Sequence, residues 1–441
     1  MAEIRPFRGV RYNQQLVNDL SVVICPPYDI ITPQMQDELY RQSEYNFVRV
    51  EFNRELPQDT ADDNRYTRAA AALEQWLAQG VLKVDEAPAI YLHDHYFSHQ
   101  GREYRRRGII ACVRLEEWDN LVIRPHESML SKPKSDRLSL LWACQANTSP
   151  ILVLFGDPER EVSSLLVMQE SNKPIISLNS AAGEGHKVWA ITQPEVIGQI
   201  QSRLAHQPLY IADGHHRYES ALIHLRERRA QASAMSGDEA YSFVMMTLVD
   251  FSDPGLVILP PHRLVRGISR ATLSGLVAQL KVFFEIEELP MSIPDVWQRV
   301  DNLLAGVGPG EVKRARLVVF GLVAERLLVL RLRDFTAASQ MMPYFHGELY
   351  KSLDVSIADH IILEQLLGIS EDREEIILAY SYDRLDAVNR VSNQEYQLAL
   401  LLNPPEPELV KAIADAGDRM PRKSTYFYPK LPAGLVFHRL V

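Results

Sequence analysis

The sequence predicts a mixed α/β (α+β) protein, and three observations carry that expectation. Short apolar runs of strand length alternate with apolar positions at helical spacing along most of the chain. Glycine and proline close those runs where turns and helix ends are needed, as at Gly80, Gly101, Gly368 and Pro407. The 441 residues exceed one ordinary core, so two or three packed units are expected.

Residues 60–79 read as a helix, with Ala69, Ala70, Leu73, Trp76 and Leu77 on one face and Gly80 as its stop. A hairpin follows, residues 89–97 and 103–115 joined through His99-Gln100-Gly101. Further strands are expected at 151–155, 174–178 and 188–192. A helix at 195–205 leads into a strand at 209–212, and another helix begins at His215 or His216. After a strand at 241–249 the texture changes near Asp253-Pro254-Gly255. Beyond it lie a helix at 270–280, a strand at 282–287, a helix at 293–304, a hairpin at 316–332 and a helix at 356–367. A strand at 396–402 and a helix at 407–416, with Pro407 in its first turn, precede a proline-interrupted tail. The expected division is 1–252, 253–403 and a C-terminal segment, 404–441, packing back on the site.

Composition narrows the function classes. Apolar residues at 46% and charged residues at 24% are ordinary for a soluble globular protein. A net charge of -10 argues against general nucleic-acid binding, which needs clustered lysine and arginine, but is compatible with a local basic pocket for one phosphorylated small molecule. The basic runs at 105–107 and 226–229 read as solvated faces. Cys25, Cys112 and Cys144 form no C-x-x-C pair, so neither a disulfide framework nor a cysteine zinc site is expected. Residues 1–12 lack an apolar core of a secretory signal, and no apolar stretch approaches the ~20 residues that span a bilayer. A cytoplasmic protein without membrane partners is the expectation. No Walker loop, no strand-linked G-x-G-x-x-G and no G-x-S-x-G elbow is present.

The most informative segment is Ile211-Ala212-Asp213-Gly214-His215-His216-Arg217-Tyr218. A short buried strand is broken at Asp213-Gly214, where glycine turns the backbone without a Cβ clash. His215, His216 and Arg217 then sit on the first turn of a helix, whose unpaired amides and dipole favour an anion. Arg217, expected on the surface of that turn, is suited to fork onto phosphate oxygens, and a histidine to bond phosphate or move a proton. The plainer reading is that Asp213 caps the helix and the histidines fill space. That reading leaves unexplained two histidines and an arginine at the positive end of a helix.

The stretch 211–222 resembles the hallmark of the DUF1015 family. So do Cys25-Pro26-Pro27-Tyr28-Asp29, Pro125-His126-Glu127, Asp136-Arg137-Leu138 and residues 420–430, so the resemblance runs over nearly the whole chain. Gly214-His215-His216-Arg217 is also similar to the G-x-x-R phosphate box of the ParB/sulfiredoxin-like superfamily, which includes free-serine kinases. The resemblance implies a ParB/sulfiredoxin-like core with a second α+β unit. It further implies a nucleotide, ATP or ADP, and phosphoryl transfer to a small hydroxylated metabolite, free serine being the most specific acceptor. No residue of this sequence is matched to the serine kinases' catalytic glutamate.

Other candidates follow from residue chemistry, weighted by that resemblance. His126 or Glu127 is suited to accept a hydroxyl proton, while Lys134 and Arg137, in a polar loop spanning 132–137, offset developing charge. A solvated charged loop is the plainer reading there. Lys423 and Ser424 either close over a phosphate or pin the C-terminus. Asp213 or Asp29 is the expected holder of Mg²⁺. Residues 147–150 carry ligand contacts or a turn. His93 and His95 share a strand face in workable zinc geometry, with His99 nearby, although a half-buried strand face is the plainer account. Two rivals remain: a phosphomonoester hydrolase in the same pocket, and a non-catalytic nucleotide-responsive binding protein.

Overall fold

The structure is a computed structural model that describes residues 2–128, 132–180, 183–231, 236–305, 315–369 and 377–440, with the backbone alone at 132–134 and 305. It divides into two compact units. The first comprises Met1–Pro125, Met129–Val257 and Pro429–Val441, and the second His126–Ser128 and Ile258–Tyr428. The mixed α/β expectation holds in both.

The first unit is built on a nine-stranded sheet. Its strands are β1 (Ile4–Arg5), β2 (Ile90–His99), β3 (Arg102–Arg114), β4 (Ile123–Pro125), β5 (Ile151–Phe155), β6 (Ile176–Asn179), β7 (Gly185–Ile191), β8 (Leu209–Asp213) and β9 (Phe243–Asp250). They lie in the order β4-β8-β5-β9-β3-β2-β7-β6, with β1 against β3. The β2–β3 hairpin turns at Gln100 and Gly101, both at positive φ (49° and 75°), as a tight two-residue turn matching strand twist requires. Alternation along β3 builds a core on each face. Ile110 and Cys112 join Leu39, Val48 and Leu73 of helices α1 (Pro33–Gln42), α2 (Val48–Glu51) and α3 (Arg65–Ala78). Ile109, Ala111 and Val113 face α5 (Glu161–Gln169), α6 (Pro194–Leu204) and α7 (His215–Gln231) through Leu166, Ile200, Leu204, Tyr218 and Leu222.

Helix α3 starts five residues later than its apolar pattern predicts. Asn64 accepts the Tyr66 and Thr67 amides while the Thr67 hydroxyl takes the Asn64 amide, a reciprocal cap that fixes the start. The polar segment at 132–137, expected as a loop, is instead the beginning of helix α4 (Lys132–Cys144). The basic run at 105–107 is not a solvated face. Arg106 is 2% exposed, and Arg107 is bidentate on the buried Asp94 at 2.7 and 2.6 Å. Ion pairing within the sheet overrides the surface preference of arginine there.

The second unit holds a six-stranded antiparallel sheet of β10 (His262–Val265), β11 (Phe284–Pro290), β12 (Arg316–Phe320), β13 (Arg326–Leu332), β14 (Leu378–Ser381) and β15 (Leu398–Leu401). The order is β11-β13-β12-β15-β10-β14. Helix α8 (Arg270–Phe283) packs Leu276 and Leu280 on one face. Helix α9 (Val296–Ala305) packs Val296 and Val300 on the other. The expected helix at 356–367 is present as Ile357–Leu366 with the wider π spacing, ending at Gly368 (φ 65°). Arg263 of β10 is buried and bidentate on Asp359 at 2.9 Å. No helix among the described residues is long and apolar enough to cross a membrane.

Candidate functional site

Strand β8 hands over to helix α7 at Gly214, where the backbone takes φ 93°. A Cβ at that position would stand 2.8 Å from Arg217 Nε and 2.9 Å from its NH2, so the guanidinium lies directly beneath the glycine. Arg217 therefore turns back under the corner, not out to solvent. Its NH2 donates to Asp213 Oδ2 at 2.6 Å, and its NH1 to the Pro150 carbonyl at 2.6 Å and the Ser149 hydroxyl at 3.2 Å. Lys430 pairs with the other oxygen of Asp213. Burial alone would raise the Asp213 carboxyl, but Lys430 and Arg217 outweigh it and hold the group well below the usual carboxylate range. The expectation of a surface-exposed Arg217 is thus corrected: at 11% side-chain exposure it is an anchored, buried cation.

Beside this corner a cavity of about 40 Å³ opens, lined by Arg137, Asn147, Thr148, Ser149, Arg217 and Ser220 with Leu140, Leu141, Ile151 and Val244. That volume holds about three waters, the size of an anionic head group, not of a whole nucleotide. Glu51, fully buried at the end of α2, stands behind the wall. Its carboxylate accepts the Thr148 hydroxyl at 2.5 Å and the Ser149 hydroxyl at 3.0 Å, with Arg137 NH1 at 3.5 Å. Arg137 also donates to the Glu51 carbonyl at 3.0 Å and to Asp136 at 2.7 Å, and lies 3.9 Å over the Tyr28 ring. Burial pushes the Tyr28 phenol well above its usual value, so it stays protonated. The result is two fixed guanidiniums and a row of hydroxyls, backed by a buried carboxylate, on a small space that Leu140, Leu141, Ile151 and Val244 also line.

The structure brings some expected residues here and leaves others elsewhere. Asp213, Gly214, Arg217 and Arg137 converge, and His215 and His216 occupy the first turn of α7. Asn147, Thr148 and Ser149 line the cavity, and the Pro150 carbonyl accepts from Arg217. The side chain of Lys134 lies outside the described residues. Asp29 is exposed in the turn Tyr28–Ile30. His126, Glu127, Lys423 and Ser424 belong to the second unit. There the Glu127 carboxylate accepts the Lys423 amide at 2.8 Å, the Ser424 amide at 3.3 Å and the Thr425 hydroxyl at 3.4 Å. His126 Nε2 lies 2.9 Å from the Thr425 hydroxyl, and Ser424 gives its own hydroxyl to the Pro421 carbonyl. Among the described residues, the one group placed to share a cation is His95, Glu184 and His186, which includes neither Asp29 nor Asp213. Cys25 is buried, and burial pushes its thiol well up, away from the thiolate form.

Sequence reasoning missed Glu51. A signal was there: the segment Phe47-Val48-Arg49-Val50-Glu51-Phe52 sets a carboxylate inside an apolar run, where burial demands partners.

The family model described as "Protein of unknown function (DUF1015)" matches residues 4–356. No curated protein matches the sequence. Among solved structures, the chain is similar to a conserved hypothetical protein from Pyrococcus furiosus, at 14% identity and TM-score 0.35, covering 76% of this chain and 95% of that one. It is similar to a free serine kinase in complex with AMP, at 14% identity and TM-score 0.35, covering 74% and 91%. A third is SbnI with a C-terminal truncation from Staphylococcus aureus, at 10% identity and TM-score 0.32, covering 74% and 85%. At these scores the likenesses are too slight to transfer residue roles.

Proposed function

The chain belongs to the DUF1015 family, and we propose that it is a phosphotransferase, moving a phosphoryl group from ATP or ADP to the hydroxyl of a small metabolite. The single observation that carries this reading is the 40 Å³ cavity walled by Arg137, Arg217 and the Thr148 and Ser149 hydroxyls, with Glu51 behind them. The Asp213–Arg217 box, through its resemblance to the serine kinases, favours free serine as the acceptor.

In this reading the cavity takes the transferring phosphoryl group beside α7, which lines it with Arg217 and Ser220. Arg137 and Arg217 act as fixed charges, because their hydrogen bonds already go to Glu51, Asp136, Asp213, Ser149 and Pro150. The acceptor oxygen attacks phosphorus, the bond from phosphorus to the nucleotide's bridging oxygen breaks, and its electron pair leaves with the nucleotide. The hydroxyl proton passes to Thr148 Oγ1 as Thr148 gives its own to Glu51. Glu127 is not assigned this role, since its carboxylate holds a turn. With cations on both its oxygens Asp213 is charge-compensated, so no step is routed through Mg²⁺ there.

The test is to incubate the full chain with β-labelled ADP or γ-labelled ATP and a pool of free amino acids. Label on an amino acid, reduced about 100-fold or more in a folded Glu51→Gln variant, is the expected result. Free phosphate alone would make the protein a hydrolase, and binding without turnover a nucleotide-responsive binding protein; either rejects the proposal.

A further inference from the structure

A second cluster lies on the same sheet, three strands from β9 to β7. His93 and His95 of β2 are two residues apart and share one face, and β7 runs antiparallel beside them. The register sets His186 directly opposite His95, with Glu184 two residues before it on that same face. Three imidazoles and a carboxylate are thereby gathered beside Arg106, which stands opposite His95 on β3, on a face that continues into the apolar core through Tyr91, Ile110 and Val188. His93, His95 and His186 are 3%, 1% and 2% exposed. Burying so many polar rings in a core is costly unless each finds a hydrogen-bond partner or a shared ligand.

We infer that His95, Glu184 and His186 form a binding site for a divalent first-row metal cation of the zinc class, oriented by His93. The candidate ligand atoms already lie within 4.8 Å of one another. Metal–ligand bonds of about 2.0–2.2 Å need them about 3.5 Å apart, so small side-chain movements close the site. Imidazole with one carboxylate and no thiolate is a borderline donor set that suits zinc and its neighbours, and three protein ligands leave a position open.

The protons can be followed. His186 Nδ1 lies 3.1 Å from His93 Nε2. With the proton on Nδ1 and donated to His93, His186 Nε2 is left for the ion, the outer hydrogen bond that orients metal-bound histidines. His95 Nε2 now lies 2.9 Å from Glu184, and Arg106 donates to its Nδ1 at 3.1 Å. Arginine has no acceptor, so the His95 proton sits on Nε2 without metal. On loading, that proton passes to Nδ1, and Arg106 gives up this contact while keeping the Pro429 carbonyl at 2.8 Å. Occupancy therefore exchanges the His95–Glu184 and Arg106–His95 hydrogen bonds for metal–ligand bonds, and places a cation near Arg106, which Glu184 offsets. The inference stands apart from the phosphotransfer reading.

The experiment uses the full chain stripped with a chelator and titrated with Co²⁺ alone, read by visible d–d absorption, with Zn²⁺ stoichiometry by elemental analysis and Tm in parallel. One equivalent bound, with d–d bands and a raised Tm, is expected. His186→Gln should weaken binding by at least about 100-fold, and His93→Gln by about 10- to 100-fold with shifted bands. Should His186→Gln not fold, Glu184→Gln, at a partly exposed carboxylate, takes its place with the same expected loss. Absence of bands and of a Tm shift at millimolar Co²⁺, or native-like binding in both the His186 and Glu184 variants, overturns the site.

Discussion

Glu51 and Glu127 are each a carboxylate that accepts several hydrogen bonds, yet the molecule uses them differently. Glu51, in the first unit, spends its oxygens on the Thr148 and Ser149 hydroxyls, whose other side faces a cavity. Glu127, in the second, takes the amides of Lys423 and Ser424 at 2.8 and 3.3 Å with a longer 3.4 Å contact from the Thr425 hydroxyl, and so fastens a turn, where Lys423 sits at φ 54°. The difference teaches that a carboxylate's role is set by what it accepts from and by what that donor faces. Hydroxyls on a cavity wall can pass a proton on; backbone amides cannot.

The largest effect expected breaks the comparison directly. Glu51→Gln should lower phosphoryl transfer by about 100- to 10,000-fold in kcat, and Thr148→Val should reproduce much of that loss. Glu127→Gln should leave transfer within about threefold but cost roughly 1.5–3 kcal/mol of stability in the second unit, read by denaturant unfolding. Equal kinetic losses from Glu51→Gln and Glu127→Gln would erase the distinction.

Next in size is Arg217→Ala. It strands Asp213 beside Lys430 and removes the anchor to Pro150, so a loss of about 3–5 kcal/mol is expected. A loss below about 1 kcal/mol would show Arg217 to be the solvent-facing cation that the sequence suggests.

Acid sets the window in which these assays hold. Burial holds the imidazoles of His224, His262 and His438 down at about 4, with nearby arginines adding to this at His224 and His262. The unfolded chain takes up those protons from about pH 6.5, so the stability they contribute is present above 6.5 and lost as pH falls toward 4, up to ~3 kcal/mol each. Asp253, raised to about 6 by burial, and Glu184, also raised by burial, work in the opposite direction, but burial lowers His93, His95 and His186 as well, so the histidines outnumber them. A lower Tm at pH 5 than at pH 7 is expected, and an unchanged or higher one counts against these burials.

The smallest effect belongs to Gly214→Ala. The added methyl meets Arg217 Nε at 2.8 Å on a backbone at positive φ, for roughly 1–3 kcal/mol in unfolding experiments. A neutral substitution would mean that the arginine does not lie beneath the glycine.

Local chemistry was legible in the sequence, and long-range chemistry was not. The β2–β3 hairpin, the break at Asp213-Gly214 and the helix starting at His215 follow from turn residues and periodicity within a few positions. The sequence singles out Arg137, but as part of a loop, because four charged residues in 132–137 mask a helix whose apolar face begins only at Leu138. Arg106 and Arg107 were read as solvated, because the carboxylate and carbonyl that hold them, Asp94 and Pro429, are brought near only by sheet pairing and by the returning C-terminal segment. His93 and His95 were visible as a pair. His186 was not, since 91 residues separate it from His95 and only the β2–β7 register sets them opposite. Glu51 was missed for the same reason: its partners Thr148 and Ser149 lie 97 and 98 residues away.

The central claim is that the space between Arg137 and Arg217 receives a negatively charged oxygen group. A crystal of the full chain soaked with ADP tests it most directly. The account predicts a phosphoryl group in that cavity, in contact with the Thr148 and Ser149 hydroxyls; a nucleotide bound elsewhere, with only water beside those two hydroxyls, would contradict it.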